Sequence, residues 1–326
     1  MLPVQDKDGR ELFAAVLKYT YHVDASGLVE PVDEADAPDI DLVDTYNGED
    51  ASRASIARPS MLFDYKPGTD VVLLGHAHSP RPGSAKHVDV QLRAGSIVKT
   101  VRAFGLRVWQ KGVFGGLSAG PARPIQEPIP LIYELAWGGQ DCSDPERPVA
   151  DPKNPIGRGV SRHPNELVGQ PAAQLESPED AASNRHPDPA SFGPIHRHWK
   201  PRADYAGTYD SRWMETRMPL LPADFDPMFH VCVPPDQWSF RPLRGDEPIQ
   251  VLNGTPEGAW TFSLPRHAPG VSSVVRGQRS EHRTHLDTLL IDADTRLVEI
   301  VFRAAIPLPP KWELLERVLV FEKKVV

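Results

Sequence analysis

The chain has 326 residues, of which 40% are hydrophobic and 25% are charged, and its formal net charge at pH 7 is -8. This composition is typical of a globular protein of one large or two smaller domains. The negative charge argues against nucleic acid and anionic membranes as partners, and it favours partner surfaces that are basic.

Cysteine usage and the N-terminal sequence indicate a cytoplasmic protein. Cys142 and Cys232 are the two cysteines of the chain. They are too few for a disulfide framework, so we expect free thiols in a reducing compartment. The N-terminus lacks the basic start and apolar run of a signal peptide. No apolar stretch approaches the roughly 20 residues that a membrane helix requires, so we expect no membrane segment.

Apolar alternation and short apolar runs predict strands in the first segment, residues 1–139. Glycine-containing turns at residues 24–27 and 94–96 favour hairpins. The expected strands are Glu11–Val23, 70–77, 87–92, 97–109 and 129–137.

Residues 140–239 form a second segment that we expect to be irregular but ordered. Sixteen of the 35 prolines lie between Cys142 and Pro235, and proline resists helix interiors and central strands. The segment is also rich in aromatic residues, which disordered linkers avoid. Brief helix signals occur at residues 177–180 and from Asp210 to Arg217.

Strand patterns return in the third segment, residues 240–326, with a helical turn expected near Trp312. The expected strands are Pro248–Leu252, 259–264, 288–291, 297–304 and 317–321. The sequence therefore predicts a mainly β protein. Its antiparallel, sandwich-like sheets lie in two β-rich segments joined by the proline-rich one. Whether the two β-rich segments share one core is left open.

Two His-x-His pairs are candidates for a metal site: His76 with His78, and His196 with His198. Residues two apart on a strand point the same way, so each pair supplies two imidazoles that could begin a zinc site. Neither pair has an acid or a cysteine at an established ligand spacing. We therefore expect no metal and no other cofactor, and keep a metal-dependent hydrolase as the alternative function.

Other catalytic patterns are weak. Ser118 lies in a glycine loop, residues 115–120, but no helix follows as a nucleophile elbow requires. Asp224 and Asp226 form an acid pair around Phe225. Acids beside proline more often organise turns, which predicts a turn with Phe225 as its buried anchor. The sequence thus predicts no catalytic residue and no enzyme.

A set of arginine and aromatic residues is the remaining candidate for function. These residue types are enriched at binding hot spots. The same types also hold irregular loops onto a sheet, and this structural alternative stays open for each of them. The candidate partner-binding residues are Arg158, Trp199, Arg202, Tyr209, Trp213 and Arg217.

Several sequence blocks occur in a fixed order along the chain. The first four are KPGTDVVLLGHAHSP, PIPLIYELAWGG, NPIGRG and FGPIHRHWKPR, and AGTYDSRW, MPLLPADFDP, PPDQ and LDTLLIDADTRLVEIVFRAA follow. Over roughly Glu11 to Ala305 these blocks resemble one bacterial family, the domain-of-unknown-function 2169 family (DUF2169).

The resemblance implies a non-catalytic adaptor or chaperone of the type VI secretion system, in the cytoplasm of a Gram-negative bacterium. Its implied partners are a secreted effector and a spike-tip protein of the VgrG or PAAR type. The resemblance implies no metal.

Overall fold

The computed structural model of the chain describes residues 2–112, 116–179 and 187–323. Strands make up 38% of the structure, and one α-helix, α1 (Ser211–Thr216), is found among the described residues. The mainly β class predicted from the sequence is therefore confirmed.

The strands are short in the central part of the chain and long near both ends. In chain order they are β1 Leu2–Gln5, β2 Glu11–Val23, β3 Val29–Pro31, β4 Thr45–Tyr46, β5 Ile56–Arg58, β6 Thr69–Leu74, β7 His76–Ala77, β8 His87–Ala94, β9 Ile97–Phe104, β10 Trp109–Lys111, β11 Leu117–Ala119, β12 Ile129–Pro130, β13 Gln140–Asp141, β14 Val149–Ala150, β15 Leu175–Glu176, β16 Trp238–Ser239, β17 Pro248–Leu252, β18 Ala259–Ser263, β19 Pro269–Val275, β20 Gln278–His282, β21 His285–Asp292, β22 Leu297–Pro307 and β23 Leu315–Glu322. Short 3-10 helices cover Ala51–Arg53, Tyr133–Leu135, Pro164–Leu167, Arg202–Tyr205, Pro227–His230, Pro235–Gln237 and Trp312–Leu314.

Two large sheets form the framework. The first has seven strands in the order β1-β2-β22-β21-β6-β16, with β3 paired to β2. The second has five strands in the order β15-β9-β8-β17-β18. Strands from the first and the third sequence segments therefore lie side by side in both sheets.

The two sheets share one hydrophobic cluster. Val71 and Leu73 of β6 lie in it from the first sheet, and Val90 of β8 and Trp260 of β18 lie in it from the second. All four side chains are fully buried. The face of the first sheet that contributes Val71 and Leu73 is its inner face, and the opposite one is its outer face.

The outer face of the first sheet is also covered. Val72 and Leu290 pack there against Val231 and Cys232 of the proline-rich segment. A small third sheet, in the order β20-β19-β23, packs instead on the inner face, through Val271 against Ala304 and Ile306 of β22. Because both faces of the first sheet are buried, the sequence of β6 is a continuous apolar run rather than an alternation of apolar and polar residues.

Several sequence expectations need correction. The strand expected over residues 129–137 ends at Pro130, because the chain turns into the 3-10 helix Tyr133–Leu135 and buries Tyr133. The pair of β6 with β21 is parallel, whereas the sequence predicted antiparallel sheets. The helix expected to begin at residues 177–180 would continue outside the described residues.

Candidate functional site

The six candidate partner-binding residues divide into an inner and an outer group. Trp199 and Arg202 are buried, with 5% and 7% of their surfaces exposed, and Arg158 is partly buried. Tyr209, Trp213 and Arg217 lie on or beside α1. The structure therefore brings three of the six together at one surface.

The inner residues hold the proline-rich segment in place. Trp199 lies in the shared core and meets the ring of Tyr133 edge-on at 5.8 Å. The Arg202 guanidinium donates to the backbone carbonyls of Ile195 at 2.7 Å and Phe229 at 3.0 Å. Backbone carbonyls of irregular segments need such donors when they are buried. These contacts leave little of either side chain for a partner.

Arg158 belongs to the NPIGRG turn, which is stabilised mainly by Asn154. The buried Asn154 amide donates to the carbonyls of Tyr133 and Trp137, both at 2.8 Å. Arg158 donates to the Gln174 side chain at 3.1 Å, and burial lowers the pKa of its guanidinium. This motif connects the turn to the loop that follows β12.

The outer group is held by capping and by hydrogen bonds across its own loop. Asp210 caps α1, its carboxylate accepting the N–H of Trp213 at 2.8 Å, as the sequence predicted. The Trp213 indole N–H donates to the carbonyl of Leu220 at 2.8 Å, and its ring meets Tyr209 edge-on at 4.8 Å. These contacts stabilise one conformation of the loop.

Arg217 fastens the same loop to the start of the chain. Its guanidinium donates to the carbonyl of Leu221 at 2.6 Å and to the carbonyl of Lys7. It also lies 3.5 Å from the Asp8 carboxylate. Arg217 therefore ties the loop that carries α1 to the first residues of the chain.

This rigid support presents an apolar surface to solvent. Tyr209, Met214 and Met218 are 53%, 57% and 63% exposed. We call these three residues the outer-loop surface. Met214 lies on α1, whereas Met218 follows its C-terminal end, and neither was among the sequence candidates.

Beneath the proline-rich segment, the outer face of the first sheet carries buried charges. The Lys66 ammonium lies 2.8 Å from the Asp70 carboxylate and 3.0 Å from the Thr288 hydroxyl. The same Asp70 oxygen accepts the N–H of Cys232 at 2.8 Å. Burial lowers the pKa of Lys66, but the neighbouring acidic groups, Asp70 foremost and Asp287 with it, together more than offset this, so the pKa lies above its usual value.

A second buried ion pair lies on the neighbouring strands. Arg303 donates to Asp287 at 2.5 Å and to the carbonyls of Met61 and Phe63 at 3.0 and 2.9 Å. Burial favours the neutral carboxyl of Asp287, but the charges of Arg303 and Lys66, together with hydrogen bonds to the carboxylate, outweigh burial and hold the pKa below its usual value. In a buried pair of this kind, the attraction between the two charges offsets the cost of removing each of them from water.

This charged region is not a substrate pocket. The cavity beside it, lined by Lys66, Arg202, His230, Cys232 and others, has a volume of about 80 Å³. Small-molecule pockets are usually about 300–1,000 Å³. The cavity has room for water, so the buried charges hold the proline-rich segment on the sheet and do not form a reaction chamber.

The histidine pairs do not gather further ligands. Within residues 2–112, 116–179 and 187–323, no group of three or more His, Cys, Asp or Glu side chains could hold a metal ion. His76 lies 2.8 Å from the Asp294 carboxylate, which raises the pKa of its imidazole. His196 is buried, and burial lowers its pKa to about 4.

The remaining catalytic patterns are explained by local structure. Asp224 accepts the N–H and hydroxyl of Thr208 at 3.0 and 2.8 Å, and Asp226 caps the 3-10 helix Pro227–His230. Phe225 between them is buried, which confirms the turn prediction. Ser118 lies on β11, paired with β10, although part of its glycine loop falls outside the described residues.

Both cysteines are free thiols, as predicted. In the part of the chain that the structure describes, no helix has the length and apolarity needed to cross a membrane.

Comparison with known proteins gives one result. No curated protein and no solved structure matches the chain. A family model described as "Uncharacterized protein conserved in bacteria (DUF2169)" matches residues 8–303. This range covers most of the chain and includes the five-stranded sheet, most of the seven-stranded sheet and the proline-rich segment. The protein therefore belongs to the DUF2169 family.

Proposed function

We propose that this protein is a non-catalytic adaptor that binds a secreted effector and helps to load it on the spike tip of a type VI secretion system. The observation that carries the proposal is the outer-loop surface. Three large side chains of one loop, Tyr209, Met214 and Met218, are more than half exposed, and the loop itself is held by the hydrogen bonds of Trp213 and Arg217.

The chemistry of this surface suits protein recognition. Tyrosine supplies a large contact area and a polar hydroxyl, and it is enriched at binding hot spots. Methionine is flexible and polarizable, so it adapts to irregular partner surfaces. Because the Trp213 and Arg217 hydrogen bonds already fix the loop, little conformational entropy is lost when a partner binds.

Membership of the DUF2169 family also supports the proposed adaptor function. The match to DUF2169 spans residues 8–303. The role in type VI secretion, and the effector and the VgrG- or PAAR-type protein as partners, come from the resemblance to that family. We place the protein in the cytoplasm on the same ground.

The proposal is tested by co-expression with the effector encoded nearest to this gene. The adaptor should raise the soluble yield of the effector, and affinity purification of either protein should recover both. The variant Tyr209→Ser, Met214→Ser, Met218→Ser should reduce recovery by at least about tenfold, because truncated anchors lose most of the binding energy.

The matched control replaces three equally exposed apolar side chains elsewhere. Leu28, Val98 and Leu106 are 56%, 52% and 58% exposed, and their triple serine variant should recover the effector as the wild type does. Equal losses in the two variants would remove the outer-loop surface from the proposal.

Deletion of the gene tests the role in the cell. Delivery of one effector should stop while the secretion apparatus still delivers others. Unchanged delivery and unchanged effector abundance would reject the adaptor role. Stoichiometric zinc in the purified protein, lost when both members of one His-x-His pair are replaced, would favour the metal-dependent hydrolase.

A further inference from the structure

We propose that a second surface of this protein binds an acidic peptide segment of a partner protein, anchored by an aromatic or aliphatic side chain. The surface is a groove lined mainly by residues 64–65, 239–244, 266–269 and 283–286, with Pro67, Glu247 and Lys323. We call it the basic groove. It shares no residue with the outer-loop surface, and it does not depend on the adaptor role.

The size of the basic groove fits a peptide. Its volume is about 1360 Å³, which exceeds the roughly 300–1,000 Å³ of pockets for small molecules. It lies at the end of the first sheet, where β16 is the edge strand and the chain continues into an exposed loop.

Positive charge is concentrated in the groove although the chain as a whole has a net charge of -8. Five cationic side chains with exposed positions line it: Arg241, Arg244, Arg266, Arg283 and Lys323. Arg266 lies 3.4 Å from Asp246, and Lys323 lies 3.1 Å from Glu281. Among the described residues, the other three arginines have no carboxylate partner.

The two acids that line the groove, Asp64 and Glu247, form no ion pair with these three arginines. Both carboxylate oxygens of Glu247 accept backbone N–H groups, from Arg244 at 2.8 Å and from Gly245 at 2.7 Å. Asp64 is partly buried against His230, at 3.6 Å. An unpaired arginine side chain can bind a carboxylate through two parallel hydrogen bonds. A peptide segment rich in Asp and Glu is therefore complementary to these three arginines.

The groove also offers aromatic side chains for an anchor. Phe240 is 72% exposed, next to Arg241, and Tyr65 is 46% exposed. Both line the groove. Aromatic and arginine side chains side by side are the usual composition of a binding hot spot. A nucleic acid longer than the groove would meet the negative charge of the rest of the chain, which totals -8, whereas a short acidic peptide contacts only the groove; a peptide is therefore favoured.

Selection from a displayed library of random dodecapeptides tests the proposal. The wild type should enrich peptides that combine several acidic residues with an aromatic or aliphatic one. The variant Arg241→Glu, Arg244→Glu, Arg283→Glu should lose that enrichment. A control with Arg53→Glu, Arg81→Glu and Arg123→Glu makes the same charge change at exposed arginines outside the groove, and it should retain the enrichment.

Affinity measurements on one enriched peptide complete the test. Fluorescence anisotropy should show binding that weakens at least about tenfold in the groove variant and in Phe240→Ser, and that weakens with added salt. Circular dichroism melting curves establish that each variant is folded.

Several outcomes would overturn the proposal. These are enrichment without acidic bias, equal binding by the groove variant, or equal loss in the control variant. Tighter binding of a single-stranded oligonucleotide than of the peptide would assign the groove to nucleic acid. Self-association in sedimentation experiments that disappears in the groove variant would assign it to a second copy of the chain.

Discussion

The side chains of Lys66 and Asp70 form an ion pair of 2.8 Å that is removed almost completely from solvent, with 2% and 0% of the two side chains exposed. Asp70 lies on β6, in the first sheet, and accepts the N–H of Cys232 from the proline-rich segment. One carboxylate therefore joins the β framework to the irregular segment that covers it.

Replacing Asp70 by Asn should strongly destabilise the protein. The substitution leaves the Lys66 charge buried without its carboxylate, and breaking a buried pair in this way costs about 3–5 kcal/mol. Urea unfolding, followed by tryptophan fluorescence, measures the free energy of unfolding. The double variant Lys66→Met, Asp70→Asn should recover most of the loss, because no charge is then left unpaired. Additive losses in the double variant would contradict this explanation.

Replacing Arg202 by Met should cost roughly 2–4 kcal/mol, because the carbonyls of Ile195 and Phe229 lose a charged donor inside the protein. Arg212, which is exposed on α1, provides the control, and Arg212→Met should change the free energy of unfolding by no more than about 0.5 kcal/mol. Limited proteolysis should also cut the Arg202 variant faster than the wild type within the proline-rich segment. Similar stability of the two variants would show that the Arg202 contacts are dispensable.

The two thiols should differ sharply in reactivity. Cys142 is exposed, whereas Cys232 is buried, with burial raising the pKa of its thiol. Because the thiolate is the reactive form, a maleimide should label the native protein at Cys142 alone. Mass spectrometry should find a second label after unfolding in urea, and Cys142→Ser should remain unlabelled when folded. Labelling of Cys232 at the rate of Cys142 would be inconsistent with the packing beneath the proline-rich segment.

Stability should fall as the pH is lowered through the range in which His196 titrates. Burial lowers the pKa of His196 to about 4 in the folded protein, and the ordinary value is about 6.5. Its ring nitrogen Nδ1 accepts the N–H of His198 at 3.2 Å, which requires that nitrogen to be unprotonated. Between these two pKa values the unfolded chain binds a proton that the folded chain does not. The stabilisation is therefore complete above about pH 6.5 and is lost as the pH falls towards about 4.

The variant His196→Asn isolates this contribution. A single titrating group changes the slope of stability against pH by up to about 1.4 kcal/mol per pH unit. The slope between pH 6.5 and about 4 should therefore be smaller in the variant, as measured by urea unfolding at several pH values. Identical slopes would mean that His196 does not titrate differently in the folded and unfolded chains.

Strands with a strong local pattern could be predicted from the sequence. β2 and β17 have the predicted bounds, Glu11–Val23 and Pro248–Leu252, because apolar residues alternate along them and turns bound them. β20 was missed since Gln278–His282 is polar throughout and exposed, so no apolar face marks it. The parallel pairing of β6 with β21 was missed because an apolar run does not encode the direction of its neighbour.

The candidate site was predicted only in part, because the sequence does not show which of these residues are buried. Trp199, Arg202 and Tyr209 belong to residue types that serve both packing and binding, so sequence alone could not separate the two uses. Burial separates them: Trp199 and Arg202 are inside, and Tyr209 is exposed. The Lys66 and Asp70 pair has helical spacing along the chain but lies where the chain enters a strand. The structural role of this pair depends on its contact with Cys232, which is distant from both residues in the sequence.

The order of strands in the first sheet also determines at which point of synthesis this sheet can form. β21 and β22 lie in the middle of the sheet, between β2 and β6, yet they are encoded near the end of the chain. A nascent chain that stops before residue 285 has β2 and β6 without the strands that join them. Unpaired strand edges recruit other chains. A premature stop codon before β21 would therefore remove the centre of the sheet. The product would be an aggregating fragment rather than a smaller folded domain.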